Sequence, residues 1–425
     1  MQRFQGLFGL VLILGLAWLF SNNKKRINYR LVFSGLGLQA LLAVLIFRVE
    51  AVKNFFQWLG RGMKQLELFS RQGATFAYGG VAVQQSNGAV VDYRVGNVVV
   101  FAFNITATIV LVCALVAIFY HFGIMQRVVA FIARIMNFVM RVSGAEALSN
   151  VASAFVGQVE AQVMIRPYLP SMTMSELLSS MSGSLACIAG GILIIYTNMG
   201  TAAHMDLAPK LIAASIMAAP GALVISKIVY PETEESQTMG RVKLKVKSSY
   251  KNVIDAITHG AGDGFKIAMN VIAMIIGFVA VIALLNYLLV KTGHLFNPHF
   301  DLTLDWVFGK IFYPFAWAMG IPQQDVSGAA TLLGQKLTIN EFIAFTNLTT
   351  KTSPGYISIL TPKGLQIITI AICGFANFSS VGMQIGGIGE IVPERRSDLA
   401  KLGMRALLCG TLASYLSATI VGLLM

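Results

Sequence analysis

The stretch Phe155 to Pro167 reads FVGQVEAQVMIRP, and it sets a glutamine, a glutamate and an arginine into sequence otherwise as apolar as a lipid-facing helix. A charge at mid-membrane depth costs roughly 2.5–3.5 kcal/mol on insertion scales, so such groups face a cavity or a protein partner. A polar loop between two spans, wetted by bulk water, would also accommodate Gly157 to Glu160. Two further polar islands lie far down the chain, Asn340-Glu341-Phe342 and Asn377-Phe378-Ser379-Ser380. Three such islands in three apolar segments point to one shared site. The flanks Asn150–Val156 and Val163–Leu169 are each too short to span, which predicts a re-entrant hairpin. Re-entrant backbone is tolerated only where protein or a water-filled cavity satisfies its polar groups.

The 425 residues are 56% hydrophobic and only 12% charged, with a mean hydropathy of +0.70, the composition of an all-α polytopic membrane protein rather than a soluble one. The net charge of +13 does not mark a nucleic-acid binder, because Lys and Arg are scattered between apolar runs as the positive-inside rule requires. Cys113, Cys187, Cys373 and Cys409 each sit alone among apolar neighbours and read as small buried hydrophobes. His121, His204, His259, His294 and His299 have no metal-ligand spacing. Gly386-Gly387-Ile388-Gly389 lacks a dinucleotide-binding strand and helix, so packing is its better explanation. With no nucleophile elbow, ligand set or phosphate loop, the chain is not expected to be an enzyme or to carry a cofactor.

Along the chain, Phe4–Phe20 is a retained first span followed by the basic cluster Lys24-Lys25-Arg26, which places the N-terminus outside. Leu31–Phe47 returns. The stretch from Glu50 mixes polarity at helical spacing and predicts a helix along the interface, with a polar turn over Val81–Asp92. Val98–Tyr120 spans, and Gln126–Arg141 is amphipathic, with Arg127, Arg134 and Arg141 on one face as an interfacial stripe. After the hairpin, Met174–Met199 and Leu207–Tyr230 span; small residues at Ser182-Gly183-Ser184 and Ala189-Gly190-Gly191 permit close packing or a local break. Lys243, Lys245, Lys247 and Lys251 form a basic cytoplasmic linker. Asp255–Phe265 predicts a second interfacial helix, Ile267–Val290 a span, Leu304–Gly320, broken by Pro314, with Ile321-Pro322 a second hairpin, and Leu402–Leu424 the last span. The expectation is about eight transmembrane helices, two re-entrant hairpins and interfacial helices.

Ala152–Gln158 and Ala330–Gln335 both read small, hydroxyl, apolar, apolar, Gly-Gln when one gap is allowed. An inverted repeat of this kind is how secondary transporters bring interrupted helices together at the membrane midplane. The chain then divides into scaffold spans and interfacial helices (1–145), a first hairpin repeat of a transport domain (146–231), a linker, interfacial helix and scaffold span (232–300), a second hairpin repeat (301–392) and a C-terminal span (393–425). Gln158, Glu160, Glu341, Asn377 and Ser380 offer amide, carboxylate and hydroxyl partners to a neutral, hydroxyl-rich ligand. Phe375 and Phe378 add flat apolar faces, suited to packing or to a stacked heterocycle. Chemistry alone says a transporter of a polar organic solute.

At GQVEAQVMIRPY, INEF and CGFANFSSVGMQIGGIG the chain resembles the concentrative nucleoside transporter family of bacterial type. The resemblance runs along nearly the whole chain. It implies a homotrimer in the cell (inner) membrane, each protomer holding a static scaffold and a mobile, elevator-like transport domain with two re-entrant hairpins, driven by a cation gradient. It further implies that Gln158 and Glu160 meet the nucleobase, that Ile192 and Phe375 pack beside it, and that Glu341, Asn377 and Ser380 hold the ribose hydroxyls. Val159 stands where the family commonly has a hydroxyl residue that contacts the base, and Gln162 where it commonly has Pro.

Sodium-coupled members use positions matching Ser153 and Cys187, with backbone carbonyls matching Val156 and Ile188, and carry Asn and Ser at the first two. Sodium prefers hard oxygen ligands, and a thiol is a poor one. The resemblance therefore implies proton rather than sodium coupling, with Glu160 or Glu341 as proton carrier, since burial raises a carboxyl pKa. A nucleobase or other small-solute symporter is the alternative, and a channel a weaker one.

Overall fold

The structure is a computed structural model that describes residues 2–79, 82–84, 90–95, 98–99, 101–239, 250–297, 301–351, 355–359 and 361–425. Most of it is helix: α1 (Gln2–Leu19), α2 (Tyr29–Arg48), α3 (Glu50–Tyr78), α4 (Phe101–His121), α5 (Ile124–Met140), α6 (Gly144–Ser153), α7 (Glu160–Met164), α8 (Met174–Ala186) and α9 (Gly190–Ala202). The second half holds α10 (Ala208–Val229), α11 (Val253–Phe296), α12 (Leu304–Ile311), α13 (Tyr313–Ala318), α14 (Val326–Thr338), α15 (Glu341–Thr349), α16 (Pro362–Ile372), α17 (Phe378–Ile391) and α18 (Arg396–Leu424). The described part of the predicted polar turn instead contains strands β1 (Ala82–Gln84) and β2 (Val90–Val95), paired antiparallel, and β2 also pairs antiparallel with β3 (Val98–Val99). Valines at alternate positions favour pleated backbone there over a turn. Residues 81 and 85–89 of that turn, and Lys243, Lys245 and Lys247 of the basic linker, lie outside the described residues.

The centre is α18, which lies against α1, α8, α10, α16 and α17. Helices apolar on every side belong inside a bundle, and α10 and α18 are buried along most of their length. Gln39 is the polar exception on α2. Its Nε2 donates to the Met217 carbonyl at 2.9 Å and to Ser417 Oγ at 3.1 Å, tying α2 to α10 and α18. Gly221 leaves the room this needs, since a Cβ there would stand 2.3 Å from that nitrogen.

Among the described residues, three helices are long and apolar enough to cross a membrane, Tyr29–Arg48, Ala208–Val229 and Pro393–Leu424. The bent pair Thr106–His121 and Ile124–Met140, at 77°, would add a fourth. A count by length misses crossings made by broken helices. Taken as units, α1, α2, α4, α8 with α9, α10, α11, α16 with α17, and α18 give eight among the described residues.

Met174–Met199 is two helices, broken at Cys187–Ala189, the local break that Ala189-Gly190-Gly191 permits. Three expectations need correction. The predicted interfacial helix and span at Asp255–Phe265 and Ile267–Val290 are one 44-residue helix, α11. Gly260 and Gly264 let α11 approach α4: a Cβ on either would come within 3.0 Å of Val110, Cys113, Ala114 or Ala117. The second hairpin is not Leu304–Gly320, whose prolines merely start α13 and end the turn after it, but α14 with α15, turning at Ile339-Asn340. Finally, Gly157-Gln158 lies in the loop of its hairpin whereas Gly334-Gln335 lies inside α14, so the proposed alignment is out of register although both stretches belong to hairpins.

The repeat itself is visible in how each hairpin is clasped. In the first, Gln162 Nε2 donates back across the turn to Ser149 Oγ at 3.0 Å. In the second, Asn347 Nδ2 donates back to Gln335 Oε1 at 3.0 Å. Each hairpin is followed by a helix pair interrupted at a cysteine, α8 with α9 at Cys187 and α16 with α17 at Cys373.

Candidate functional site

The two helix breaks touch. Phe375 N donates to the Cys187 carbonyl at 3.2 Å, so each interruption supplies a partner to backbone the other has left open. Gly374 makes the approach: its φ is +113°, and a Cβ there would stand 2.3 Å from the Ala186 carbonyl oxygen. Both the dihedral and the contact exclude a side chain. Gly374→Ala is expected to destabilise the protein by more than about 1 kcal/mol, read as a lower melting midpoint of the purified protein. The first hairpin joins the same crossing, because Gly190 N donates to the Phe155 carbonyl at 3.2 Å.

Glu341 is the best-anchored of the expected site residues. It opens α15, whose N-terminus is capped by Asn340 Oδ1 accepting from Ile343 N. Its carboxylate accepts from Tyr196 Oη at 3.1 Å and from Asn377 Nδ2 at 2.9 Å. Asn377 in turn caps α17, its Oδ1 accepting from Ser380 N and Ser379 Oγ at 2.8 Å each. One asparagine therefore fixes both a helix start and a carboxylate. Ser380 Oγ is buried without a hydrogen-bond partner.

The tip of the first hairpin rests on the same α17, further along. Gln158 Nε2 lies 3.8 Å from Met383 Sδ, and its Oε1 is buried without a partner. Val159 packs on Gly387, where a Cβ would stand 2.8 Å from its methyl groups. Glu160 is exposed, its carboxylate folded against Gly157, which has φ +130°. Six residues separate Asn377 from Met383, about 9 Å of helix, so the tip and the Glu341 group stand at two ends of one stretch of α17. Ile192 and Phe375 are half-buried against the core.

The expected ion ligands do not share partners. Ser153 Oγ donates to the Ser149 carbonyl at 2.8 Å and lies 2.7 Å from Ser184 Oγ. Cys187 Sγ faces the Asn150 and Ser215 carbonyls at 3.9 and 3.8 Å. Val156 is half-buried and Ile188 fully buried. Among the described residues, no group of three or more His, Cys, Asp and Glu side chains is placed to hold a metal ion. Two surface clefts, one around Arg48, Lys53, Asp206 and Lys210 and one around Gln323 and Lys363, hold none of the expected site residues.

Sequence reading missed Tyr196 and Lys336. Tyr196 is fully buried and stacks on Phe345 at 4.3 Å, which holds its hydroxyl on Glu341. A phenol inside an apolar helix, ILIIYTNM, was the available signal. Lys336 is fully buried on α14 with its Nζ unpartnered, five residues before Glu341.

Profiles of three families match the chain: "Na+ dependent nucleoside transporter C-terminus" over residues 210–422, "Na+ dependent nucleoside transporter N-terminus" over 8–81, and "Gate: Nucleoside recognition" over 102–203. An uncharacterised transporter of Haemophilus influenzae is 38% identical over 424 residues, covering 100% of this chain and 98% of its own. The nucleoside permease NupC of Helicobacter pylori is 36% identical, covering 98% of this chain and 96% of its own. The chain belongs to the Na+ dependent nucleoside transporter family. Rat sodium/nucleoside cotransporter 2 is 34% identical, this chain spanning 62% of its length. Solved structures agree: CNTnw in an inward-facing substrate-bound state superposes with a TM-score of 0.88 at 35% identity, covering 100% of this chain and 98% of that one. A CNTnw variant in an outward-facing state gives 0.90 at 35% identity, covering 100% and 97%. Membership makes this chain a membrane transporter and not an enzyme, in a family whose members couple transport to a cation.

Proposed function

We propose that this protein is a cation-coupled nucleoside symporter working by an elevator mechanism, with the proton as coupling ion. The observation that carries the reading is the pair of buried, unpartnered polar atoms, Gln158 Oε1 and Ser380 Oγ, at the two ends of the α17 stretch that Asn377 caps and ties to Glu341 of α15. Buried polar atoms are nearly always paired in the working state, so these two await a ligand with polar groups at both ends. A base joined to a ribose is such a ligand. Gln158 and Glu160 read the base, with Val159, Ile192 and Phe375 beside it, and Glu341, Asn377 and Ser380 hold the ribose hydroxyls. The names of the permease and cotransporter relatives support the substrate class.

Proton coupling is favoured by Ser153 and Cys187, which weaken the oxygen set a sodium ion would need, and Glu160 and Glu341 are the carboxylates able to carry the proton. Residues 1–145 with the long α11 act as scaffold, and the two hairpin repeats move. Three copies assemble in a bacterial inner membrane, in contact with lipid through the exposed apolar faces of α2 and α11.

The test is uptake of labelled uridine into vesicles under an imposed gradient. A pH gradient is expected to drive uptake in sodium-free buffer; uptake strictly dependent on sodium and indifferent to pH would overturn proton coupling. Failure of excess uridine and adenosine to compete would favour a nucleobase or another small solute, and non-saturating flux a channel. Tyr196→Phe removes one of the two donors on Glu341 and is expected to weaken uridine binding about tenfold, since a hydrogen bond to a charged group contributes roughly 1.5–3 kcal/mol. Equilibrium binding to the purified protein reads it.

A further inference from the structure

Inside the first hairpin lies a polar network that includes the expected ion ligand Ser153 and none of the expected substrate-binding residues. Gln162 is fully buried, as are Ser149, Ser153, Ser180 and Ser184. Gln162 Nε2 donates to Ser149 Oγ at 3.0 Å and to Ser184 Oγ at 2.9 Å, while its Oε1 accepts from Ser180 Oγ at 2.7 Å. Ser149 and Ser180 Oγ are 2.5 Å apart. The protons can be assigned one way round: Gln162 to Ser149, Ser149 to Ser180, Ser180 back to Gln162. This closes a ring through α6, α7 and α8. With that direction fixed, Ser153 Oγ donates to the Ser149 carbonyl at 2.8 Å and Ser184 Oγ donates to Ser153 Oγ at 2.7 Å, with the Ser180 carbonyl at 3.1 Å as its second acceptor, so each hydroxyl proton has an acceptor.

We propose that this ring, and Gln162 within it, takes the place a coupling cation would hold between the first hairpin and α8, and positions the hairpin tip for substrate without any ion. A cation needs several oxygen lone pairs converging on it, as the hard-ligand preference of alkali and alkaline-earth ions requires. Here two of the serine oxygens nearest the expected ligand Ser153 are capped by amide N–H groups, whose positive ends repel a cation. The one carboxamide oxygen left over, Asn150 Oδ1, faces the Cα of Gly183, where a Cβ would stand 1.8 Å away, and is closed off by backbone. Gln162 is two residues from Glu160 on α7 and four from Gln158 in the turn that leads into it, so the ring fixes the register of the tip on which substrate recognition depends. A fully satisfied buried network is rigid and specifies one arrangement; a partly satisfied one is costly. The inference rests on the proposed reading of the coupling ion and sharpens it: sodium is not merely weakly bound but replaced by a side chain.

The experiment compares the full-length wild-type protein with Gln162→Ala and Gln162→Glu. The first readout is the melting midpoint in sodium chloride against equimolar choline chloride, without nucleoside. Wild type is expected to show no sodium-specific rise. Gln162→Glu is expected to gain one, because the same shape then carries oxygens only, frees Ser149 and Ser184, and adds a negative charge. The second readout is uridine affinity and the KM-against-kcat split. Gln162→Ala is expected to raise Kd and KM about tenfold, and Gln162→Glu to recover affinity in sodium but not in choline. Sodium-specific stabilisation of wild type, no gain in Gln162→Glu, or unchanged affinity in Gln162→Ala would each overturn the proposal. If Gln162→Glu does not fold, Ser149→Ala opens the ring by one hydroxyl and is expected to raise the uridine Kd at least threefold; an unchanged Kd overturns the proposal. Wild type that binds no uridine would refute the substrate reading instead, and the stability arm would still decide the ring.

Discussion

Glu341→Gln is expected to lower uridine affinity and uptake by about a hundredfold or more while leaving the fold intact. The carboxylate accepts from Tyr196 and Asn377 at once, one donor on each oxygen, and both contacts are buried. A carboxamide of the same size keeps one acceptor oxygen for Asn377 Nδ2 and turns its NH2 toward Tyr196 Oη, which must then accept instead of donate, so both contacts lose the charge that strengthens them and one acceptor oxygen is lost to the ligand. Hydrogen bonds to a charged group contribute roughly 1.5–3 kcal/mol each, and an unmade buried one costs a similar amount again. Asn377 also caps α17, so a shift of its side chain moves the backbone that carries Ser380. About 3 kcal/mol in total corresponds to the hundredfold loss, at roughly 1.4 kcal/mol per factor of ten. Equilibrium binding separates this from a transport defect: Gln at this position with wild-type affinity would remove Glu341 from the site. A melting midpoint near that of wild type checks that the variant is folded.

What the sequence made legible was chemistry set against its background. Glu160, Glu341 and Asn377 stood out because a charge or amide in an apolar run is costly, and the folded chain brings Glu341 and Asn377 into direct contact. Helix continuity was much harder to see. Gly260 and Gly264 mark either a break or a close crossing, and only the position of α4, more than a hundred residues earlier in the chain, decides for the crossing. Cys187 carries no helix-breaking chemistry of its own; α8 stops there because its backbone carbonyl is taken by Phe375 from the other half of the molecule. The second hairpin was misplaced onto Leu304–Gly320 because Pro314 and Pro322 are strong local signals. The real turn at Ile339-Asn340 carries no proline or glycine and is held by a side-chain clasp between the two arms of the hairpin, Asn347 on Gln335. Local pattern thus located the polar groups, and tertiary contacts between the two halves decided where helices end.

Lys227→Met is expected to destabilise the protein by about 3–5 kcal/mol, the cost of leaving buried charge without its partner. Lys227 Nζ, near the end of α10, lies 2.9 Å from Glu146 Oε2, 3.2 Å from Glu232 Oε2 and 3.0 Å from Ser175 Oγ. Its side chain is 6% exposed and that of Glu146 only 2%, so solvent screens the pair little and the small value of a surface ion pair does not apply. Glu146 is held by a second duty: with Ser143 it forms the capping box that starts α6, and Glu176 with Thr173 does the same for α8. Glu232 accepts from Thr173 Oγ1 at 2.8 Å, so one lysine joins the starts of α6 and α8 to the end of α10. Removing it exposes no cavity of consequence, since Met fills similar space; the damage is electrostatic. Adding Glu146→Gln should therefore restore a large part of the loss, because glutamine keeps the reciprocal contact of a capping box without the charge. Melting midpoints of the two single variants and the double variant test this as a cycle. A double variant no better than Lys227→Met would place the loss in packing, and the base of the first hairpin would then be held by shape rather than by charge.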